Sequence, residues 1–497
     1  MSYLEQLKTE ANYTRTLNGA VTHGSSGDAC LDFFAAAGGM RYRRPHDQIA
    51  LFDKAYIENP ELAMKLLFHL RDIRGGMGER RLFRTLLCHV ARIHPESACK
   101  NVQYIAEYGR WDDLLCLLNT PCRKEAVRVI REQLNKDLHS AALREAGSSS
   151  APISLLAKWM PSVNTSSRRT CAQGRRLSAA LGMDEKSYRL MFSRLRKHIA
   201  LTERHLSRQT AGKINYESVP AGAMLKYRAA FDRADGKRFN AYLRKVADGE
   251  KSMHADTLFP YEILRPYFNG WGWGGTPVTG KRVLNLLWKS MSTEAGNQNA
   301  LSIIDTSGSM YWSEPKPALI SQAMGLYCAE RCEGAFHNVF ITFESQPHLM
   351  EIHGKTLEDK LRCLSTAPVG GSTNLSAVFD LILRTAVNAG AAQDEMPSVL
   401  YIFSDMEFDQ AIDDGSKTVY EAARRQFERA GYQLPAVVFH NVNSWQMQVP
   451  VTAHTRGTAL TSGAGVHFLK EKFDGNVTPM SHMLRILNGR RYEPIHA

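Results

Sequence analysis

Residues 299–310 read NALSIIDTSGSM, an apolar, partly β-branched run that stops at an aspartate and passes into a small polar loop. A short apolar run bounded by a turn fits a buried strand. Asp305 stands where that strand ends, and Ser307 and Ser309 follow on alternate positions. Outward from this stretch, HNVFITFES (337–345), SVLYIFSD (398–405) and PAVVFH (435–440) have the same composition. Between them lie ALISQAMGLYCAERC (318–332), LSAVFDLILRTAV (375–387) and YEAARRQFERA (420–430), with apolar positions at helical spacing. Strands that alternate with helices predict a parallel, doubly wound sheet covered on both faces. Ligands of such sheets bind outside the carboxyl ends of the strands. Asp305 and Asp405 both fall there.

Three hydroxyls and two carboxylates at strand ends form an all-oxygen donor set. Asp305, Ser307 and Ser309 come from one loop, Thr373 from GGSTN (370–374), and Asp405 from a third loop. Oxygen donors suit a hard divalent cation, Mg2+ or else Mn2+ or Ca2+, which keeps waters that an incoming carboxylate can displace. No Cys or His lies in these loops, which disfavours softer metals. At these residues the chain resembles the von Willebrand factor A domain. Its metal-ion-dependent adhesion site has the form Asp-x-Ser-x-Ser, then Thr, then Asp, and all five positions match. The resemblance implies a domain over 286–497 whose metal captures an acidic residue of a partner.

The 497 residues, 44% of them hydrophobic, can bury a large core divided among domains. No apolar run is long enough to span a bilayer and the amino terminus lacks a secretory pattern, so a cytoplasmic protein with no membrane partner is expected. Nine cysteines without a CxxC pair fit free thiols in a reducing compartment, and Cys328 and Cys332, one helical turn apart, read as core. Charge is unevenly spread. Residues 1–300 carry 46 Lys+Arg against 29 Asp+Glu, whereas 301–497 carry 16 against 21. Residues 151–230 alone hold 15 basic and 4 acidic side chains, a density that attracts polyanions.

From about 45 to 265 the pattern is helix after helix, including ELAMKLLFHLRDI, RRLFRTLLCHVARI, VQYIAEY, DDLLCLL, EAVRVIREQLNKDL, YRLMFSRLRKHIALTERHL and RFNAYLRKVA. Short breaks at RGGMGE, NTPCRK and EAGSSSAP suit antiparallel pairs stacked as an irregular solenoid. WGWGGT (271–276) reads as a flexible joint or sharp bend near a domain boundary at 285/286. The fold class is therefore α + α/β: a helical domain over 1–285, then the sheet domain.

LRDIRGGMGERRLF (70–83), YGRWDDLL (108–115), LAKWMPSVN (156–164), MFSRLRKHIALTERHLS (191–207) and INYESVPAGAMLKYRAAF (214–231) carry a second resemblance. They are similar to a family of bacterial and viral proteins related to the TROVE-domain proteins typified by the Ro autoantigen. That likeness implies HEAT-like repeats bent into a ring closed by the A domain. It also implies a ribonucleoprotein scaffold that binds single-stranded ends of misfolded RNA, or small structured non-coding RNA.

RNA binding needs cations for phosphates and surfaces on which unpaired bases stack. The cationic candidates are Arg74, Arg80, Arg81, Lys158, Arg168, Arg169, Arg175, Arg176, Arg194, Arg196, Lys197, Lys226 and Arg228, interleaved with Phe83, Trp111, Trp159 and Tyr227. The glycine amides of RGGMGER could cradle a phosphate, but a tight helix-to-helix connection is the preferred reading. No HExxH, GxSxG, paired zinc-ligand or kinase motif is present, so no enzyme is expected. The alternative is a metal-dependent protein-protein adaptor without RNA, its basic helices engaging an acidic protein.

Overall fold

The structure is a computed structural model that describes residues 3–147, 151–199, 201–270, 272–274, 277–291, 298–410 and 417–497. Its centre of organisation is a mixed sheet of six strands: β1 (Ala300–Asp305), β2 (Val339–Phe343), β3 (Pro347–Glu351), β4 (Val399–Ser404), β5 (Ala436–Asn441) and β6 (Thr458–Ser462). The spatial order is β6-β5-β4-β1-β2-β3, with every neighbouring pair parallel except the β2–β3 hairpin. The chain enters the sheet at β1, runs to one edge through β2 and β3, then returns to the other side of β1 as β4. The switch point of a doubly wound sheet thus lies between β1 and β4. All residues of β1, β4, β5 and β6 are buried, as a sheet flanked by helices requires.

The helix Pro317–Ala329 is buried along its whole length and packs on β1 and β4. Gly325 faces Ile304 so closely that a Cβ there would stand 2.2 Å from Ile304 Cδ1. The absent side chain is what lets helix and strand meet one residue before Asp305. Asn374, whose side chain accepts from the Ala377 N–H, caps the helix Leu375–Ala389 and so fixes the start of the element behind Thr373.

Contacts gather the chain into two compact units, Met1–Glu58 with Asn215–Asn488, and Asn59–Ile214 with Gly489–Ala497. The expected division at 285/286 follows sequence character, whereas compactness places segments on both sides of it with the sheet. The helix Ala29–Ala37 lies against β6, where the Gly38 N–H donates to Ser462 Oγ (3.0 Å) and that hydroxyl donates to Phe34 O (2.8 Å). Pro260–Leu264 packs on Pro317–Ala329. Of the expected joint WGWGGT, residues 271, 275 and 276 lie outside the described residues. Gly272–Trp273 pairs with Phe268–Asn269 as a short hairpin, and the Trp273 indole donates to Gln322 (2.5 Å). The bend is anchored to a core helix.

The second unit is helical, and its helices include α1 (Pro60–Arg71), α2 (Arg80–Ile93), α3 (Arg123–Glu145), α4 (Arg168–Leu181), α5 (Glu185–His198) and α6 (Thr202–Ser207). In α2 the apolar positions Leu82, Phe83, Leu86, Leu87 and Val90 are all buried, as their three-and-four spacing predicts. The segment DDLLCLL forms a 3-10 stretch, Trp111–Asn119, where an α-helix was expected. YRLMFSRLRKHIALTERHL, expected as one helix, is broken after His198, where Ile199 turns extended (φ −93°, ψ 125°). Carbonyls freed by the break are satisfied by guanidinium groups: Arg204 donates to Arg196 O (3.0 Å) and Arg144 to His198 O (3.0 Å).

The RGGMGE break is a tight connection with its amides occupied. Gly76 and Gly78 both donate to Asp72 O (3.1 Å), Met77 to His69 O (3.0 Å) and Glu79 to Leu70 O (2.7 Å). A Cβ on Gly76 would stand 2.0 Å from His69 O. These N–H groups are therefore not directed at a ligand.

The carboxyl-terminal segment closes this unit. Fully buried Asp72 accepts from Arg491 Nη2 (2.7 Å), the Tyr492 hydroxyl (3.0 Å) and the Arg74 N–H (2.9 Å). Burial alone would raise the Asp72 pKa, but these donors outweigh it and hold the carboxyl below its usual range. Asp72→Ala is expected to cost about 3 kcal/mol, because it leaves a partly buried guanidinium and a buried hydroxyl without their acceptor. Urea unfolding followed by circular dichroism measures this.

Candidate functional site

At the switch point the structure brings together Asp305, Ser307, Ser309 and Asp405, four of the five residues predicted from spacing, and bridges their loop to the one that carries Thr373. Ile304 pairs with Phe403, so β1 and β4 end side by side, with Asp305 on one and Ser404 and Asp405 on the other. Asp305 is fully buried; its Oδ1 accepts from the Ser307 N–H (2.8 Å) and its Oδ2 from the Ser404 hydroxyl (2.5 Å). The loop after β1 is pinned to the neighbouring strand, since Thr306 donates through both N–H (3.0 Å) and hydroxyl (3.2 Å) to Phe343 O. That pinning places the Ser307 and Ser309 hydroxyls 3.1 Å apart. Ser307 also forms a parallel bridge with Gly370, which draws in the loop carrying Thr373. A side chain at Gly370 would collide with Glu344.

Thr373 is buried and held from both sides. Its N–H donates to Asp409 Oδ2 (2.9 Å), its carbonyl accepts from the Asp409 N–H (2.9 Å), and Asn18 Nδ2 approaches its hydroxyl at 3.4 Å. Asp405 completes the group. Its Oδ1 accepts from the Glu407 N–H (3.2 Å), whereas Oδ2 is buried with no hydrogen bond among the described residues. Met406, between them, takes a left-handed φ of 66°, a conformation costly for a side-chain-bearing residue.

The electrostatics are those of a buried group of acids. Burial, and then the charge of Asp405, push the Asp305 pKa up to about 7 against the opposing bonds from Ser307 and Ser404. Asp405 is also raised by burial, although Ser309, the Glu407 N–H and Trp445 favour its charged form. Glu407 is raised by burial too, with the Leu17 N–H (2.7 Å) and the Gln448 amide (2.8 Å) donating to it. No ion pair to any of the three is seen among the described residues. Among those residues there is also no cluster of three His, Cys, Asp or Glu able to hold a metal by themselves. The donor set here is two carboxylates and three hydroxyls. Two buried carboxylates that repel each other, one with an orphaned oxygen, fit a divalent cation held by Asp305, Asp405, Ser307, Ser309 and Thr373.

Sequence reasoning missed Ser404, Glu407, Asp409 and Asn18. The alternation of acids in SDMEFD (404–409) repeats the pattern noted after β1 and could have flagged Glu407 and Asp409. Asn18 carries no signal, being far away in the chain.

Eleven of the cationic candidates lie in the helical unit, and Lys226 and Arg228 lie in the unit of the sheet. Arg168 and Arg169 open α4, with Arg175 and Arg176 further along it, and all four are exposed. Of these, Arg175 meets Glu185 (3.1 Å) in a pair open to solvent. Arg194 is engaged by both oxygens of Glu145 (3.0 and 3.1 Å). Arg196 turns inward and donates to Ala157 O (2.8 Å), Met160 O (2.8 Å) and Ser162 Oγ (3.1 Å), while Lys197 is exposed. Arg74, Arg80 and Arg81 are exposed, and Lys158 sits 3.7 Å from Glu203. Arg228 donates to Thr279 O (2.9 Å) and Lys226 lies over Tyr227 at 4.9 Å. Among the aromatics, Phe83 is core, whereas half-buried Trp159 carries the Arg110 guanidinium at 3.8 Å.

Comparison with known proteins gives two family matches. The model for the domain of unknown function DUF2828 matches residues 16–131 and 123–301, and that for DUF7788 matches 299–483. The chain is 30% identical to the uncharacterized protein L728 of Acanthamoeba polyphaga mimivirus, over 98% of this chain and 89% of that protein. Among solved structures it is similar to the crystal structure of the Deinococcus radiodurans RO (RSR) protein. That match has 14% identity and a TM-score of 0.42, covering 93% of this chain and 100% of the other.

Proposed function

The chain belongs to the family of the domain of unknown function DUF2828, and for it we propose the role of an RNA-binding scaffold with a resident divalent cation. The reading is carried by one observation. Arg168, Arg169 and Arg176 stand on α4 with their side chains in solvent and no internal acid pairs with them among the described residues. Such a face is free to meet phosphates. Half-buried Trp159 and Trp111 supply flat groups within the same helical unit, as single-stranded RNA requires.

In this reading the sheet is a von Willebrand factor A domain. Asp305, Asp405, Ser307, Ser309 and Thr373 hold Mg2+ or a similar ion, which neutralises the two buried carboxylates and offers an open position to an acidic group. Asn18 and Asp409 keep Thr373 in place. The role is recognition and not catalysis, since most of the ligands are neutral hydroxyls.

A second reading, the protein-protein adaptor, is favoured by exposed apolar side chains on the loops of that site, Trp312 (72% exposed) and Val369 (52%). Purification at low salt separates the two. The scaffold reading expects nuclease-sensitive nucleic acid to copurify, and protein free of nucleic acid that also fails to bind added RNA would favour the adaptor.

A further inference from the structure

Within the helical unit, α5 and α6 and the 162–164 turn line an open cavity of about 680 Å3 that the surface arginines of α4 do not line. Five of its lining side chains are cationic and one is acidic. The cations have distinct roles. Arg196 is committed to three protein acceptors and braces the wall, and Arg204 spends one nitrogen on Arg196 O. Arg189, Lys197 and Arg208 are exposed, and no acid pairs with them among the described residues. The single acid, Glu203, faces Lys158 at 3.7 Å, so it leaves the cavity's excess charge in place. Around these cations stand the hydroxyls of Ser193 and Ser207 and the apolar side chains of Val163, Leu190 and Leu201.

We propose that this cavity binds a small organic phosphate, a phosphate monoester carried on a sugar or nucleoside. Guanidinium forks from two helices suit a phosphate dianion, which takes paired N–H bonds better than a lone carboxylate does. Serine hydroxyls suit a sugar, and the apolar wall suits the remainder of the ligand. The volume is that of an ordinary small-molecule site and far exceeds what a bare phosphate needs. One chemistry has two sources here, a free nucleotide or the 5′-phosphorylated end of an RNA strand.

The test is calorimetric titration of the full chain, freed of nucleic acid, with adenosine 5′-monophosphate, adenosine and inorganic phosphate. The double variant Arg189→Ala, Arg208→Ala is titrated in parallel; both side chains are exposed, and circular dichroism checks its fold. The site predicts binding of the nucleotide, weaker binding of phosphate and none of adenosine. It also predicts a loss of roughly tenfold or more in nucleotide affinity in the variant. Absence of nucleotide binding, equal binding by the variant, or adenosine binding as well as its phosphate would each overturn it. Competition by a 5′-phosphorylated oligoribonucleotide but not its 5′-hydroxyl form would assign the strand end; no competition by either would assign the free nucleotide. RNA binding by α4 is scored separately with the 5′-hydroxyl oligomer, so either proposal can fail without the other.

Discussion

Asp305→Asn is expected to abolish stabilisation by Mg2+ and, with metal absent, to leave the protein more stable than the wild type above neutral pH. The reason is the buried pair. Asp305 is raised to about 7 by burial and by Asp405, far above the ordinary carboxyl value near 4. A carboxyl with a raised folded-state pKa holds its proton more tightly when folded. Its contribution is therefore complete below about pH 4 and is lost as pH rises through about 7. Without metal, the wild type should lose on the order of a few kcal/mol between those limits. Mg2+ requires the deprotonated pair, so its stabilisation should appear at pH 8 and fade toward pH 5. Asparagine removes one of the two charges, and with it both the repulsion and the ligand. Thermal scans at pH 5 and pH 8, with Mg2+ or with chelator, read all of this. An Asp305→Asn protein less stable than wild type in chelator at pH 8, yet equally responsive to Mg2+, would refute the account of the site.

Reversing the charges of α4, Arg168→Glu, Arg169→Glu, Arg175→Glu and Arg176→Glu together, is expected to weaken binding of single-stranded RNA by about a hundredfold or more at moderate salt. Each contact with a phosphate is worth roughly a kcal/mol, and reversal adds repulsion to the loss. The fold should survive, because all four are exposed. The one ion pair broken, Arg175 with Glu185, is open to solvent and contributes little. Gel-shift titration with an unchanged circular dichroism spectrum is the check. Asp305→Asn, by contrast, should leave RNA affinity nearly unchanged, since α4 and the switch point belong to separate compact units.

Much of the sheet was legible because its buried strands are uninterrupted apolar runs. Asp305 and Asp405 could be paired from sequence because each closes such a run, and the doubly wound order then sets them side by side. The two strands that escaped notice lack that signature. β3, PHLME, is an edge strand, begins with proline and is largely solvent-facing. β6, TALTS, is buried but built of small and hydroxyl residues, and part of what covers it is a helix from residues 29–37. Periodicity likewise cannot see that Ile199 leaves the helix or that Arg196 turns inward, because both depend on acceptors supplied by other elements. Charge density singled out residues 151–230; which of their arginines meet solvent was decided by packing.

The most direct measurement of the central claim is the affinity of the nucleic-acid-free protein for a labelled single-stranded RNA across a range of salt concentrations. A phosphate-binding face predicts a straight line of log K against log salt, with a slope of about −0.7 for each phosphate neutralised, hence roughly −3 for the four arginines of α4. The slope should be shallower in the charge-reversed variant. A wild-type protein that shows no binding even at the lowest salt, or an affinity indifferent to salt, would contradict the claim that this chain is built to hold RNA.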